Sequence, residues 1–240
     1  MAPCESCHAG CCRTYAVPIT GADIIEIVRK CGLSFWDFVV RWADPEGTIS
    51  RGRVPTFFFP DVPGTPFVIC LMQTQSLFLP GTTKCRFLIE CPPDELHPLG
   101  GGRCGIYGAR PSTCRVFPTK MNRTGDLVVL CNISSPPRED AHPAYDLCPR
   151  EWEVEEIDPI RTMQDLVITK YEFAFFAEIA RAWNQSPKTW AAFPNFLRLV
   201  YAHRIAREAD VKLEEDDNED AATGPFANTQ IDRAATRSAA

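Results

Sequence analysis

The 240-residue chain contains no run of about 18 or more uncharged apolar residues, the least a helix needs to cross a bilayer, so no membrane span is expected. It also lacks a strong charge bias over most of its length. The net charge is -6, and seven acids against two basic residues in 213–240 account for -5 of it, which leaves 1–212 at -1. A nearly neutral body presents no broad basic surface to neutralise phosphates, and no nucleic-acid partner is expected. The first residues show no basic stretch followed by an apolar one, as a secretory leader would, and cysteines begin at Cys4. A Gly-x-Ser-x-Gly nucleophile elbow is absent. Gly100 to Gly102 is not followed by Lys-Ser/Thr, so it reads as a flexible connection rather than a phosphate loop. No internal repeat at a solenoid period is present.

Against these absences stands an excess of one residue type, twelve cysteines, all at or before position 148. Without a leader, the expected compartment is the reducing cytoplasm, where so many thiols serve as metal ligands rather than disulfides. The first array is Cys4-x2-Cys7-x3-Cys11-Cys12. A two-residue spacing lets two thiolates converge on one ion from a tight turn. Adjacent Cys11 and Cys12 are expected to diverge, which points to two centres or one multinuclear cluster. A second array joins Cys104 to Cys114 through Arg110-Pro111, with Cys85 upstream and Cys148 downstream. Arg13, Arg86, Arg103, Arg115 and Arg150 lie next to or near cysteines in sequence, where guanidinium groups favour thiolates. Cys31 and Cys70 read as buried apolar residues, whereas Cys91 or Cys131 remains able to replace a ligand, Cys148 in particular. His8, His97 and His142 read as exposed or structural. Cys4-Glu-Ser-Cys7-His8 also fits c-type haem attachment, a reaction of compartments outside the cytoplasm.

The hydrophobic pattern predicts an α+β fold: a small loop-rich cysteine-cluster domain with short strands over 1–150, a helical region over 151–212 packed on it, and a disordered acidic tail over 213–240. Thr20 to Asp23 forms a capping box for a helix through Ile24, Ile25, Ile27 and Val28 that stops at Gly32. Ser34 to Asp37 predicts a second helix through Phe38, Val39, Val40 and Trp42. Strands are expected at 54–59, 66–72, 85–89 and 126–131. Asp158-Pro159 opens a long helix to about Trp183. Its stripe of Ile160, Met163, Val167, Tyr171 and Ala174 is expected in the core. A last helix is predicted from near Ser186-Pro187 through Trp190, Phe193, Phe196, Leu197, Val200 and Tyr201.

The run Cys104-x-Ile106-Tyr107-x-x-Arg110-Pro111-x-x-Cys114-Arg115-x-Phe117-Pro118, with the first array, Cys85-x-Phe87-Leu88 and Cys148-Pro149, resembles the YkgJ-type cysteine-cluster family over about 1–150. That family is described as a zinc- or iron-chelating domain and includes flagellin lysine N-methylases. The resemblance implies a ligand set of Cys4, Cys7, Cys11, Cys12, Cys85, Cys104, Cys114 and Cys148. It implies a zinc or iron cofactor as well, and the adjacent Cys11 and Cys12 and the number of thiols favour a four-iron iron–sulfur cluster over zinc. An iron–sulfur centre would give a redox or electron-transfer protein. Two alternatives accompany it: an S-adenosylmethionine-dependent protein lysine N-methylase, and a zinc-stabilised module that binds a protein partner. Arg110 and Arg115 are candidates to hold the carboxylate of S-adenosylmethionine.

Overall fold

Two helices precede the first strand. The short α1 (Gly10–Thr14) follows Ala9, whose φ of 59° turns the chain into it. The next helix, α2 (Gly21–Cys31), starts and stops as its sequence requires. The Thr20 backbone N–H and hydroxyl donate to Asp23 Oδ2 at 2.8 and 2.9 Å, and Asp23 N–H donates back to Thr20 Oγ1 at 3.2 Å. At the far end Gly32 adopts φ 64° and returns its N–H to the Val28 carbonyl, a left-handed cap for which glycine carries no Cβ penalty. Ile24 and Ile27 face the core. In this computed structural model the described residues are 9–50, 53–95, 100–122, 124, 127–130 and 154–202. The chain divides into two units, Met1–Tyr201 and Ala202–Ala240, and every element named belongs to the first. The acidic stretch 213–240 lies outside the described residues.

The capping signal at Ser34 yields only one 3-10 turn, Phe35–Asp37, instead of the expected helix. Strand β1 (Val39–Ala43) follows at once and pairs antiparallel with β2 (Phe67–Leu71), Val40 opposite Cys70. Consecutive β-branched Val39 and Val40 lose side-chain freedom in a helix but suit a strand, and a fully buried β2 supplies the partner. Three further ribbons complete the strands: β3 (Gln73–Gln75) with β4 (Thr83–Cys85), β5 (Leu88–Glu90) with β6 (Gly102–Cys104), and β7 (Thr119–Met121) with β8 (Val128–Leu130). The described strands thus form four separate two-stranded ribbons, an architecture that is marginal without further packing.

Residues 54–59, predicted as a strand, form only the bridge Phe57 to Phe67. A helix side chain takes the place of the missing strand. Asn184 Oδ1 accepts from Phe58 N–H at 2.9 Å, and its Nδ2 donates to the Thr56 carbonyl at 2.9 Å. Trp183 Nε1 adds a bond to the Phe58 carbonyl at 2.8 Å. These groups come from α4 (Pro159–Gln185), which Asp158 caps by accepting from Ile160 and Arg161 N–H at 3.0 and 3.1 Å. The last helix, α5 (Phe193–Val200), begins later than expected because a 3-10 turn, Trp190–Ala192, intervenes.

The core gathers Phe57, Phe59, Phe176, Trp183 and Phe193, with ring centroids such as Phe57 to Phe193 and Trp183 to Phe193 at 5.0 Å. Only the C-terminal part of α4 is deep in it. The predicted core stripe is corrected at Ile160, Val167 and Tyr171, which are 73, 52 and 60% exposed. There the helix packs on the short α3 (Ser112–Val116), and the residue that buries is Leu166. At the other end of the core the start of α2 meets Tyr201: a Cβ on Gly21 would lie 2.4 Å from the tyrosine ring.

Candidate metal centre

Five of the predicted ligands lie on four stretches of chain near enough for their charges to act on one another. Cys11 and Cys12 lie on α1, Cys85 ends β4, Cys104 ends β6, and Cys114 is the middle residue of α3. The ribbons hold Cys85 opposite Gln73 and Cys104 opposite Leu88, and α1 packs on β4. Gly102 was expected in a flexible connection but is the first residue of β6. A Cβ there would stand 2.7 Å from Leu88 Cδ1 and 3.3 Å from Ala9 Cβ, so the glycine is what lets the entry to α1 lie against the ribbon.

Two buried carboxylates fix these pieces. Glu90, with a side chain shut off from solvent, accepts from Arg13 at 2.5 Å and Ser76 Oγ at 2.6 Å through Oε1, and from Leu77 N–H at 2.8 Å through Oε2. Lys84 Nζ stands 3.6 Å from Oε2 and donates to the Leu88 carbonyl at 2.6 Å. Burial alone would raise the Glu90 carboxyl pKa, but the Ser76, Leu77 and Arg13 donors hold it below the ordinary value. Through this network α1 is tied to β4 and β5. Asp23 does the same for α3, accepting from Ser112 N–H at 2.8 Å and Ser112 Oγ at 3.1 Å while it caps α2. Thr113 Oγ1 adds a bond to the Pro18 carbonyl at 3.0 Å.

The thiols sense one another. An interaction between Cys11 and Cys12 raises the Cys12 pKa and lowers that of Cys11. Burial pushes Cys85 up to about 11, Cys104 upward, and the partly buried Cys114 well upward. In each case negative charge on other members of the group adds to the rise, Cys104 and Cys11 acting on Cys85, for example. Such a cluster resists full ionisation by itself.

A family model named CxxCxxCC, described as a zinc- or iron-chelating domain, matches residues 3–132. The chain belongs to this family. Its resemblance to the YkgJ-type proteins, drawn from the same motifs, is thereby shown. No curated protein and no solved structure matches the chain. Among the described residues no group of three or more His, Cys, Asp or Glu side chains stands ready to hold an ion. Cys4, Cys7 and Cys148 of the predicted set lie outside those residues, as do Cys131, Arg150, His8, His97 and His142.

The donor chemistry of this cysteine-cluster domain fits a metal. Clustered thiols that suppress one another's ionisation become thiolates together when a cation stands among them. The surrounding arginines divide differently from what adjacency in sequence suggested. Arg13 is turned away to Glu90, Arg103 is exposed, and Arg115 faces Glu26 at 3.5 Å and Asp165 at 3.9 Å. The Cys12 hydrogen bond is the main cause that lowers the Cys11 pKa, and the Arg110 charge adds a little to it; at Cys104 burial raises the pKa and the Arg110 charge offsets part of that rise. Cys70, in β2, is buried and apolar in its surroundings as predicted. Cys31 is not: it is only partly buried and close enough to Cys104 to raise its pKa. Cys91 is exposed.

Proposed function

We propose that Cys4, Cys7, Cys11, Cys12, Cys85, Cys104, Cys114 and Cys148 together hold an iron–sulfur centre of the four-iron type, and that the protein transfers or senses electrons in the cytoplasm. The observation that supports this reading is the match to a zinc- or iron-chelating family model over residues 3–132, together with five cysteines on α1, β4, β6 and α3 whose charges act on one another. An adjacent cysteine pair facing the same group suits a multinuclear centre better than a single ion. Such a cluster supplies one-electron exchange while its thiolate ligands stay unchanged. The chain's contribution is to bury the ligands, to fix α1 and α3 around them through Glu90 and Asp23, and to place a guanidinium nearby.

A second reading, a structural zinc, draws support from the ribbons. Pieces this small gain from a metal that clips loops together. Methyl transfer from S-adenosylmethionine rests on the resemblance alone.

Anaerobic purification followed by iron, zinc and acid-labile sulfide analysis separates the two. Stoichiometric iron and sulfide with visible absorption supports the cluster, and colourless protein carrying zinc replaces it with the structural role. Folded protein free of both metals overturns both. Cys114→Ser is expected to lower metal content several-fold, whereas Cys70→Ser retains it.

A further inference from the structure

We propose that the exposed face of α4 over Ile160 to Glu178 is a self-association surface, against which a second copy of this chain lays the same helix antiparallel, about a twofold axis near Thr169. The inference is independent of the metal reading and concerns a stripe that the interior leaves uncovered.

Helix α4 is apolar on two sides. Leu166, Phe176, Ile179, Ala180 and Trp183 are buried, whereas Ile160, Val167, Ile168 and Tyr171 are exposed. A helix that is apolar all round is ordinarily one that is covered all round. Single exposed apolar residues call for no explanation, but these are not scattered. Ile160, Gln164, Val167, Tyr171 and Ala174 follow one another at steps of four and three, and all five are exposed. That alternation is the spacing of the seam between two paired helices. Ile168 widens the apolar band, and the first charge on the seam itself is Glu178.

The charges at the two ends of the stripe say what covers it. Arg161 flanks the first turn and Glu178 closes the far end, both exposed. In a parallel pair Glu178 would face its own copy, a like-charge contact. Laid antiparallel about Thr169, Val167 of one copy comes opposite Tyr171 of the other, Gln164 opposite Ala174, and Ile160 with Arg161 opposite Glu178. The symmetry makes each of these contacts twice. Within one chain Glu178 pairs with Arg181, and both are largely exposed, so exchanging that partner costs little. Lys170 comes near its own copy at the margin, a cost that its long side chain limits by turning to water. At 1.5 Å per residue the stripe from Ile160 to Ala174 is about 21 Å long. One helix pair of that length lies at the small end of specific interfaces, and the dimer expected is a weak one.

The test is sedimentation equilibrium of the full-length chain, with a reductant present so that exposed Cys91 forms no covalent dimer. Concentrations from about 1 to about 300 μM span the dissociation constants of small interfaces. The mass is expected to rise with concentration from 26.9 kDa towards twice that value. Val167→Lys places a charge at the centre of the seam in both copies and is expected to weaken the dimer at least about tenfold. Arg161→Glu is expected to weaken it as well, and Arg161→Glu combined with Glu178→Arg to restore it to within about threefold of wild type. All of these positions are exposed, where substitutions seldom disturb folding. A mass of one chain at every concentration overturns the inference, and so does a dimer that Val167→Lys leaves intact, since the copies would then meet elsewhere. A double variant no tighter than Arg161→Glu alone overturns the antiparallel arrangement. None of these outcomes bears on whether the cysteines hold a metal.

Discussion

The two ends of this molecule are held together by different physics. Where α4 and α5 close on residues 56–59, the interior is aromatic: Phe193 touches a ring on nearly every side and is wholly buried. Where the cysteines gather, the elements are three to five residues long, and what binds them is buried charge: Glu90 with Arg13 and Lys84, and Asp23 with Ser112. The first region is stabilised by apolar area removed from water, which needs no exact partner. The second depends on donors and acceptors that each need one, and its thiols favour a cation to complete them. Loss of a metal from the second region is therefore expected to leave the first folded.

The largest expected effect tests the aromatic half. Phe193→Ala removes a fully buried ring from contacts with Phe57, Phe59, Trp183 and Trp190. Truncations of this kind cost about 3–5 kcal/mol. Urea unfolding is expected to show that loss undiminished when a chelator is present. A loss that vanishes on chelation would mean the aromatic core depends on the metal centre, and the contrast between the halves would fall.

Next comes the buried charge. Glu90→Gln leaves Arg13 and Lys84 without their carboxylate, and breaking a buried pair of this kind costs about 3 kcal/mol. The pH dependence gives an independent signature. Because the folded-state pKa of Glu90 is held below its ordinary value of 4.5, its contribution is fully present above that value and is lost as pH falls through the lower, folded one. Wild-type stability therefore drops on acidification in a window that Glu90→Gln lacks. A variant whose acid limb matches wild type would show that the network contributes nothing as a charge pair. Since Glu90 also holds α1, the variant is expected to bind metal more weakly, which Phe193→Ala should not do.

The sequence was most legible where the determinants are local. Thr20, Asp23 and Gly32 bound α2, and Asp158-Pro159 opens α4, because caps act over three or four residues. The signal at Ser34 had the same form and produced a single turn, since the choice between helix and strand at Val39 and Val40 was made by β2, almost thirty residues away. The site shows the same division. Five cysteines named from spacing and family resemblance lie near enough to act on one another, but the residues that position their elements do not announce themselves. Glu90 reads as an ordinary charge on a short strand, Gly102 as slack, and Asp23 as a cap rather than a cap and a clamp on α3. Arg13 and Arg115 stand next to cysteines in sequence and turn elsewhere, whereas Arg110, four residues from Cys114, acts on Cys11 and Cys104. Adjacency along a chain says little about where a long, flexible side chain ends.

The smallest effect probes the seam between the halves. Asp158 caps α4 at its exposed end, accepting from Ile160 and Arg161, and Asp158→Ala is expected to cost about 1 kcal/mol. What matters is where that cost appears. The first turns of α4 carry exposed Ile160 and Val167, while Phe176, Ile179 and Trp183 are locked in the aromatic core. Amide hydrogen exchange in Asp158→Ala should therefore accelerate over 160–166 and stay unchanged over 176–183. Equal acceleration along all of α4 would show that the helix opens as one unit. It would then couple α3, and Cys114 with it, directly to the core, and the two regions would be a single cooperative structure rather than two with different means of support.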